Sequence, residues 1–299
     1  MRSPRDASRD RPLLALVFGD REPVFNIGAA VTSRHAGTPV YFRTAFVVDG
    51  PLGAHEYTYA DLTELCARFQ AFLSDSGMSK EARVLIRLPD SIEFPIAFFG
   101  TMRAGRVAVP TSTSLSASEL ALIAKDSGAE ILVTTREDWA HLAPTVSEAP
   151  ALRVVLLVGG GELSITTTGL LCIDFGEALG SSDANARAIN TAPEDPAYLV
   201  YTSANTNLPA RTLHTHRALI ERQPARKNRF DFGGHVTIQH SGCIGFTDAL
   251  ETKLIDPLYR GHTVVVRRHA RSEMSERRSS HADSPEACMP RPFARKDGH

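Results

Sequence analysis

The chain has 299 residues, of which 42% are hydrophobic and 22% are charged, as in an ordinary globular protein. Its 33 basic and 34 acidic residues give a net charge of −1, which excludes a general attraction to nucleic acid or to a membrane surface. No apolar run is long enough to span a bilayer, so we expect no membrane segment.

The N-terminal residues 1–24 are predicted to be a disordered segment because they are polar and mix Arg with Asp. A short apolar run from Leu13 to Gly19 is followed at once by Asp20 and Arg21, without a small-residue cleavage site, so a signal peptide is not predicted. The four cysteines lie far apart without metal-ligand spacing. Free thiols are typical of a reducing compartment, and we expect a cytoplasmic protein.

Residues 25–190 are predicted to form a first α/β subdomain. Two helices begin with capping boxes, one at Thr58 with Asp61 and one at Ser116 with Glu119. Gly77 and Gly128 end these helices. Short apolar runs alternate with helical patterns, which predicts a parallel-rich sheet with helices on both faces; the expected strands are Arg83–Leu88, Val107–Val109, Glu130–Thr134 and Arg153–Val158.

Residues 191–266 are predicted to be the incomplete start of a second α/β subdomain, after a polar segment that ends in Pro-Glu-Asp-Pro. A buried strand is expected at Ala197–Tyr201, followed by a small, polar turn and then by a helix that begins near His214. The charged residues 221–235 interrupt the helical periodicity. A strand, a helix and a final strand are expected at Val236–His240, Phe246–Tyr259 and His262–Val266.

The strand and turn resemble the phosphate-binding signature of the adenylate-forming (AMP-binding) superfamily, in particular its acyl-CoA synthetases and ligases. In that family the signature reads Tyr-Thr-Ser-Gly-Thr-Thr-Gly-x-Pro-Lys-Gly. The matching residues here are Tyr201, Thr202, Ser203, Thr206, Pro209 and the run His214-Thr215-His216. Further segments resemble the family in the same order, so that the resemblance extends from about Phe25 to Val266; they are Tyr57–Leu62, Met102–Pro110 and Leu254–Gly261.

The resemblance implies activation of a small carboxylate by ATP with Mg²⁺, through an acyl-adenylate, and transfer of the acyl group to coenzyme A. On this basis the candidate cofactor-binding residues are Thr202, Ser203, Thr206, Arg211 and His214. No catalytic residue and no metal ligand is assigned. The hydroxyl residues also fit a second interpretation, in which they satisfy their own backbone within a turn.

The signature also departs from the family pattern. Ala204 and Asn207 replace glycines, and Ala210 replaces the lysine, while Arg211 follows one position later. A Cβ restricts positive φ and close approach to a phosphate, so we expect an impaired loop. The family's later adenine, ribose and hinge motifs are not found in this sequence. We therefore expect a truncated N-terminal portion that is inactive alone; the alternative is a non-catalytic remnant or scaffold.

Two further expectations concern partners. Leu254, Ile255 and Val264–Val266 are predicted to form an exposed apolar edge that promotes self-association. Residues 267–299 carry eight Lys or Arg and one large aromatic residue, Phe293, and are predicted to be a disordered tail. Binding of nucleic acid by this tail remains an alternative, but the interspersed acids argue against it, and no nucleic-acid partner is expected.

Overall fold

A computed structural model describes residues 24–51, 53–79, 82–160, 169–202, 210–230, 234–240 and 247–267. The predictions for the N-terminal segment up to residue 23 and for the tail from residue 268 lie outside these residues. Within the described part of the chain, no helix combines the length and apolar character needed to cross a bilayer.

The described residues form eleven strands, which are β1 (Thr44–Gly50), β2 (Gly53–Thr58), β3 (Arg83–Arg87), β4 (Val107–Pro110), β5 (Ala129–Thr135), β6 (Val154–Val158), β7 (Leu171–Asp174), β8 (Pro196–Thr202), β9 (Ala210–Thr215), β10 (Thr237–His240) and β11 (Thr263–Arg267). Their α-helices are α1 (Ile27–Thr32), α2 (Tyr59–Asp75), α3 (Glu93–Arg103), α4 (Ala117–Ser127), α5 (Arg136–Val146), α6 (Phe175–Gly180), α7 (Arg217–Phe230), α8 (Thr247–Leu250) and α9 (Asp256–Tyr259). A 3-10 helix occupies Pro39–Phe42, and a π-helix occupies Glu251–Ile255 between α8 and α9.

The larger sheet has the strand order β7-β6-β5-β3-β4-β8-β9. All its neighbouring strands are parallel except β8 and β9, which are antiparallel. One face of the sheet packs against α2 and α3 through residues such as Val84 and Ile86. The other face packs against α4 and α5 through residues such as Leu85 and Leu132. The predicted α/β fold, parallel-rich with helices on both faces, is confirmed.

The predicted capping boxes are present at both helices. The Thr58 hydroxyl accepts a hydrogen bond from the backbone N–H of Asp61, and the Asp61 carboxylate accepts one from the backbone N–H of Thr58. Ser116 and Glu119 repeat this arrangement at the start of α4. Gly128 ends α4 with φ +63°, in the left-handed region that favours glycine.

The smaller sheet joins two distant parts of the chain, in the order β10-β11-β1-β2. Phe46 of β1 pairs in parallel with Val264 of β11. The sequence analysis did not predict β1 or β2. Strand β1 pairs with the distant β11, and β2 pairs with β1. The predicted division at residues 190 and 191 stays a prediction, but each sheet takes strands from both sides of it.

The expected exposed apolar edge is not observed. Leu254, Ile255, Val264 and Val266 are all completely buried. The reason is that β11 is an interior strand between β10 and β1, while Leu254 and Ile255 pack into the main core. Self-association stays a prediction, without this surface as its basis.

The charged segment after His216 is also more regular than predicted. Helix α7 continues from Arg217 to Phe230, through residues where the sequence suggested a break. Long charged side chains have good helix propensity, so the charge did not prevent the helix.

Candidate functional site

The segment that resembles the phosphate-binding signature is flanked by the two strands of a β-hairpin. Thr202, the last residue of β8, pairs with Ala210, the first residue of β9, and the Thr202 hydroxyl donates to the Ala210 carbonyl oxygen over 3.4 Å. Residues 203–209 form the connection, and Ser203 and Thr206 therefore lie outside the described residues. The two ends of this segment are held side by side by the pairing of the strands.

The helix predicted to begin near His214 is present, but it begins later than predicted, because Ala210–Thr215 forms β9 and α7 begins at Arg217. The buried strand β8 offers its free edge, and a segment with two threonines suits a β-strand better than a helix start. His214 therefore lies on a strand, and His216 lies in the turn after it. The predicted arrangement of these histidines in a first helical turn is corrected accordingly.

The hairpin distributes the candidate residues over two faces, since side chains alternate along a strand. Thr202 and His214 lie on the face of Tyr198, with Tyr198 paired to His214. Arg211 pairs with Tyr201 and lies on the opposite face. Thr202 is four residues from Tyr198, or about 13 Å along the strand. The structure thus does not bring Thr202, Arg211 and His214 together.

Arg211 is bound to an acidic residue of α4. Its Nη1 donates to Oδ2 of Asp126 over 2.9 Å, and the Tyr201 hydroxyl donates to the same oxygen over 2.7 Å. The Arg211 and Asp126 side chains remain 55% and 40% exposed. The Tyr201 hydrogen bond, followed by the charge of Arg211, lowers the pKa of Asp126, which is therefore ionised at neutral pH.

His214 is enclosed on the other face. Its ring stacks on that of Tyr198, and its Nδ1 lies 3.6 Å from Oε1 of Glu251. Burial lowers the pKa of His214, although the Glu251 charge opposes this change. A neutral imidazole stacked in this way contributes packing and a polar contact, and not a positive charge for a phosphate.

The sequence analysis missed the buried ionic cluster around His214. Glu251, at the start of the π-helix, accepts a hydrogen bond from the Tyr198 hydroxyl over 2.8 Å. Arg222 of α7 donates from Nε to Oδ1 of the fully buried Asp256 over 2.8 Å. Its Nη1 lies 3.4 Å from Oε1 of Glu251. Recognising α7 as a helix would have placed Arg222 on a defined face, but its partners follow about thirty residues later. Only the tertiary structure joins them.

His216 has a structural position. It is completely buried, and its Nδ1 accepts a hydrogen bond from the backbone N–H of Ile27 over 3.0 Å. This N–H belongs to the first residue of α1 and has no partner within its own helix. Burial lowers the pKa of His216 to about 4, against a weaker effect of Asp195. Since Nδ1 accepts, the proton of the neutral ring is assigned to Nε2.

The described residues can be tested against the groups that the resemblance implies. Among them, no set of three or more His, Cys, Asp and Glu residues could hold a metal ion; Mg²⁺ in phosphoryl-transfer sites is bound through one or two carboxylates together with the substrate phosphates. For a phosphate, the exposed Thr202 offers a hydroxyl at the mouth of the loop, and Arg211 offers a cation one residue pair away. The described part of the site therefore offers a phosphate one exposed hydroxyl, and its cation is engaged by Asp126.

Comparison with known proteins shows that the chain is similar in sequence to several CoA ligases. A long-chain-fatty-acid–CoA ligase of Mycobacterium tuberculosis is 31% identical over 163 residues, which cover 54% of this chain and 30% of that protein. A 3-hydroxybenzoate–CoA ligase of an Aromatoleum species is 28% identical over 214 residues, which cover 72% of this chain and 40% of that protein. The chain thus spans well under half the length of the curated relatives that it matches.

Solved structures share the fold. An acyl-CoA synthetase of Brucella canis superposes with a TM-score of 0.74 at 20% identity, covering 93% of this chain and 51% of that chain. The crystal structure of an anthranilate CoA ligase in complex with anthranoyl-AMP superposes with a TM-score of 0.70 at 22% identity, covering 85% of this chain and 47% of that chain. Residues 33–279 match the family model described as AMP-binding enzyme. The chain therefore belongs to the AMP-binding enzyme family, the adenylate-forming superfamily that its strand-and-turn signature resembles.

Proposed function

We propose that the chain acts in the ATP-dependent activation of a small carboxylate for transfer to coenzyme A, and that alone it binds the nucleotide weakly and does not form the acyl-adenylate. Family membership and the names of the similar ligases support the reaction class. ATP would supply the adenylyl group and Mg²⁺ would neutralise its phosphates. The relatives differ in their carboxylates, and nothing in the described residues favours one of them.

The observation that carries the proposal is the lack of an available positive charge where β8 and β9 meet the loop. Ala210, where the family has lysine, is exposed at the first position of β9. Arg211 is the only Lys or Arg between Pro196 and His216, and it is bound to Asp126 on the face opposite His214. At the ends of the loop, Thr202 therefore offers one hydroxyl to a triphosphate, and the cation Arg211 is already paired with Asp126.

The size of the expected loss in catalytic rate follows from the typical contribution of one such group. Removing one preorganised donor from a site that stabilises developing charge typically lowers the rate about 10²- to 10³-fold. Ala204 and Asn207 add a second deficit, because glycine lets a backbone approach a phosphate more closely than any other residue. The Thr202 hydroxyl can donate to a phosphate oxygen when it gives up its 3.4 Å hydrogen bond to the Ala210 carbonyl oxygen, which leaves weak binding as the expected residual property.

Calorimetric titration with Mg·ATP tests whether the hairpin end is a phosphate site. Ala210→Lys restores the charge and should tighten binding roughly 10- to 100-fold, the effect of one hydrogen bond to a charged group. The matched control is Ala54→Lys, which adds the same charge at an exposed position of β2 in the other sheet. It should leave the affinity unchanged. If both substitutions act equally, or neither acts, the loop is not a nucleotide site and the proposed function is wrong.

A further inference from the structure

We propose that His235 and His262 form a proton-dependent clasp on the edge strand β10, in which the ring of His235 is positively charged and the ring of His262 is neutral. The histidine clasp holds β10 on β11 within a window of pH. It opens when His235 loses its proton and when His262 gains one. This inference is independent of the proposed function.

Strand β10 depends on contacts at its start because it is short and lies at the edge of the smaller sheet. It has four residues, and its neighbour in the strand order is β11. The two strands are parallel, with Thr237 opposite Thr263. A short edge strand has few hydrogen bonds to lose and opens locally at a low free energy. Contacts just before β10 therefore contribute a large share of its attachment.

His235, two residues before β10, contacts two oxygen atoms. Its Nδ1 lies 3.1 Å from the carbonyl oxygen of Gly261, and its Nε2 lies 3.1 Å from the hydroxyl oxygen of Thr263. The Thr263 hydroxyl itself donates to the carbonyl oxygen of Thr44 in β1 over 2.6 Å. A hydroxyl has one proton, so the proton that Thr263 gives to Thr44 is not available to His235.

Both ring nitrogens of His235 must therefore donate. A carbonyl oxygen only accepts, and the Thr263 oxygen accepts from His235 while it donates to Thr44. A neutral imidazole has one N–H, whereas an imidazolium has two. The charged ring allows all three hydrogen bonds at once, and the neutral ring must give up one of them. The arrangement thus favours the protonated form of His235.

His262 has the opposite requirement. Its Nδ1 accepts a hydrogen bond from the backbone N–H of Val236 over 3.4 Å, which needs the lone pair of a neutral ring. The carbonyl oxygen of Val236 accepts from the N–H of Thr263 over 3.0 Å. The His262 ring is buried, and its centroid lies 6.3 Å from that of His235. Protonation of His262 would remove an acceptor and place two like charges side by side.

A third histidine lies close to the clasp but does not oppose it. His35 packs beside Gly261, where a Cβ would lie 3.5 Å from Cε1 of its ring. Burial lowers the pKa of His35, while its hydrogen bond with the Leu258 carbonyl oxygen raises it and the charge of Arg34 lowers it again. The ring of His35 is therefore neutral near pH 7, and it does not repel a charge on His235.

The charged groups of the neighbouring elements are engaged with other partners. The Glu56 carboxylate of β2 accepts from the Thr44 hydroxyl over 2.8 Å, and Arg260, before Gly261, donates to Gln223 over 2.9 Å. His240 lies at the other end of β10. In the part of the chain that the structure describes, His235 forms no ion pair with a carboxylate, and it is exposed to solvent. Its proton can therefore exchange with water, and its hydrogen bonds to neutral acceptors favour the charged form.

Amide hydrogen exchange of the full-length chain between pH 5 and pH 8.5, corrected for the intrinsic exchange rate at each pH, tests the inference. Peptides that contain β10 should be most protected at an intermediate pH. Their protection should fall about three- to tenfold on either side, the usual effect of losing one hydrogen bond. Peptides from β5, an interior strand of the larger sheet, report any general loss of stability.

Two substitutions separate the two rings. Thr263→Val keeps the shape of the side chain but removes the hydroxyl, so the loss of protection towards high pH should disappear. His262→Asn keeps an acceptor for the Val236 N–H that does not titrate, so the loss towards low pH should disappear. The matched control is Thr237→Val, the same change at the exposed partner of Thr263 in the strand pair, which should keep both losses.

Three results would overturn the inference. The first is protection of β10 that does not vary with pH relative to β5 in the original protein. The second is a loss towards high pH that persists in Thr263→Val, and the third is a loss towards low pH that persists in His262→Asn. None of these measurements involves ATP, so the proposed function is tested separately.

Discussion

The imidazole ring of His214 lies parallel to the phenol ring of Tyr198, with ring centroids 4.4 Å apart and an angle of 5° between the planes. The two residues are cross-strand partners in the hairpin, and Glu251 of the π-helix contacts both of them. The end of the hairpin formed by Tyr198 and His214 is therefore attached to the π-helix. The pair Thr202 and Ala210 lies at the other end of the hairpin, about 13 Å from Tyr198 along the strand.

The buried ionic cluster should dominate the stability of this region. Arg222→Met removes the positive charge beside Asp256 and Glu251, and Asp256 is fully buried. Breaking a buried pair by removing one partner typically costs about 3–5 kcal/mol. We expect a loss of this size in the free energy of unfolding, measured by urea denaturation.

Arg211→Met is the matched control for this prediction. It removes the same group from a pair that is about half exposed, and it should leave the unfolding free energy almost unchanged. Equal losses in the two variants would show that the Arg222 cluster is not desolvated as described.

His216 should make stability dependent on pH. Its folded-state pKa of about 4 lies below the ordinary value of 6.5, so the folded state favours the neutral ring. The stabilisation is complete above pH 6.5 and is lost as the pH falls towards 4. The difference between the two pKa values corresponds to about 3 kcal/mol.

The substitution that isolates this effect is His216→Asn, whose Oδ1 can accept the hydrogen bond of Ile27 but does not titrate. Urea denaturation between pH 7 and pH 4 should show a steeper loss in the original protein than in the variant. Parallel pH profiles would mean that His216 is protonated in the folded state as readily as in the unfolded chain.

Close packing of α1 on α3 should make Gly28 intolerant of a side chain. A Cβ at Gly28 would contact the Phe99 carbonyl oxygen and would lie 2.8 Å from the backbone nitrogen of Arg103. Overpacking of this kind costs about 1–3 kcal/mol. Gly28→Ala should lower the thermal midpoint, whereas Gly180→Ala, at a position in α6 where a Cβ has no described neighbour within 4 Å, should not lower it.

The elements that could be predicted from the sequence are those fixed by local chemistry. The Thr58 and Ser116 caps, and the glycines that end their helices, depend on residues within one or two turns, and they were placed correctly. The alternation of β3, β4, β5 and β6 with helices also gave the parallel sheet. These features need no knowledge of distant contacts.

The elements that could not be predicted depend on distant partners. Strand β1 is stabilised by β11, more than two hundred residues later, and β9 is a strand because the edge of β8 is available to it. The same reason explains the site. The sequence identified Arg211 and His214 as candidates, but only the pairing of the strands shows that they lie on opposite faces, one with Asp126 and the other with Glu251.

Exchange of labelled pyrophosphate into ATP tests the central claim most directly. The assay uses the full chain without an added partner, a panel of aliphatic and aromatic carboxylates, and a complete acyl-CoA ligase as the positive control. The charge missing at Ala210 and the Cβ atoms at Ala204 and Asn207 predict no exchange above a blank without enzyme. Carboxylate-dependent exchange above that blank would contradict the account, because it would show that the chain forms acyl-adenylates alone.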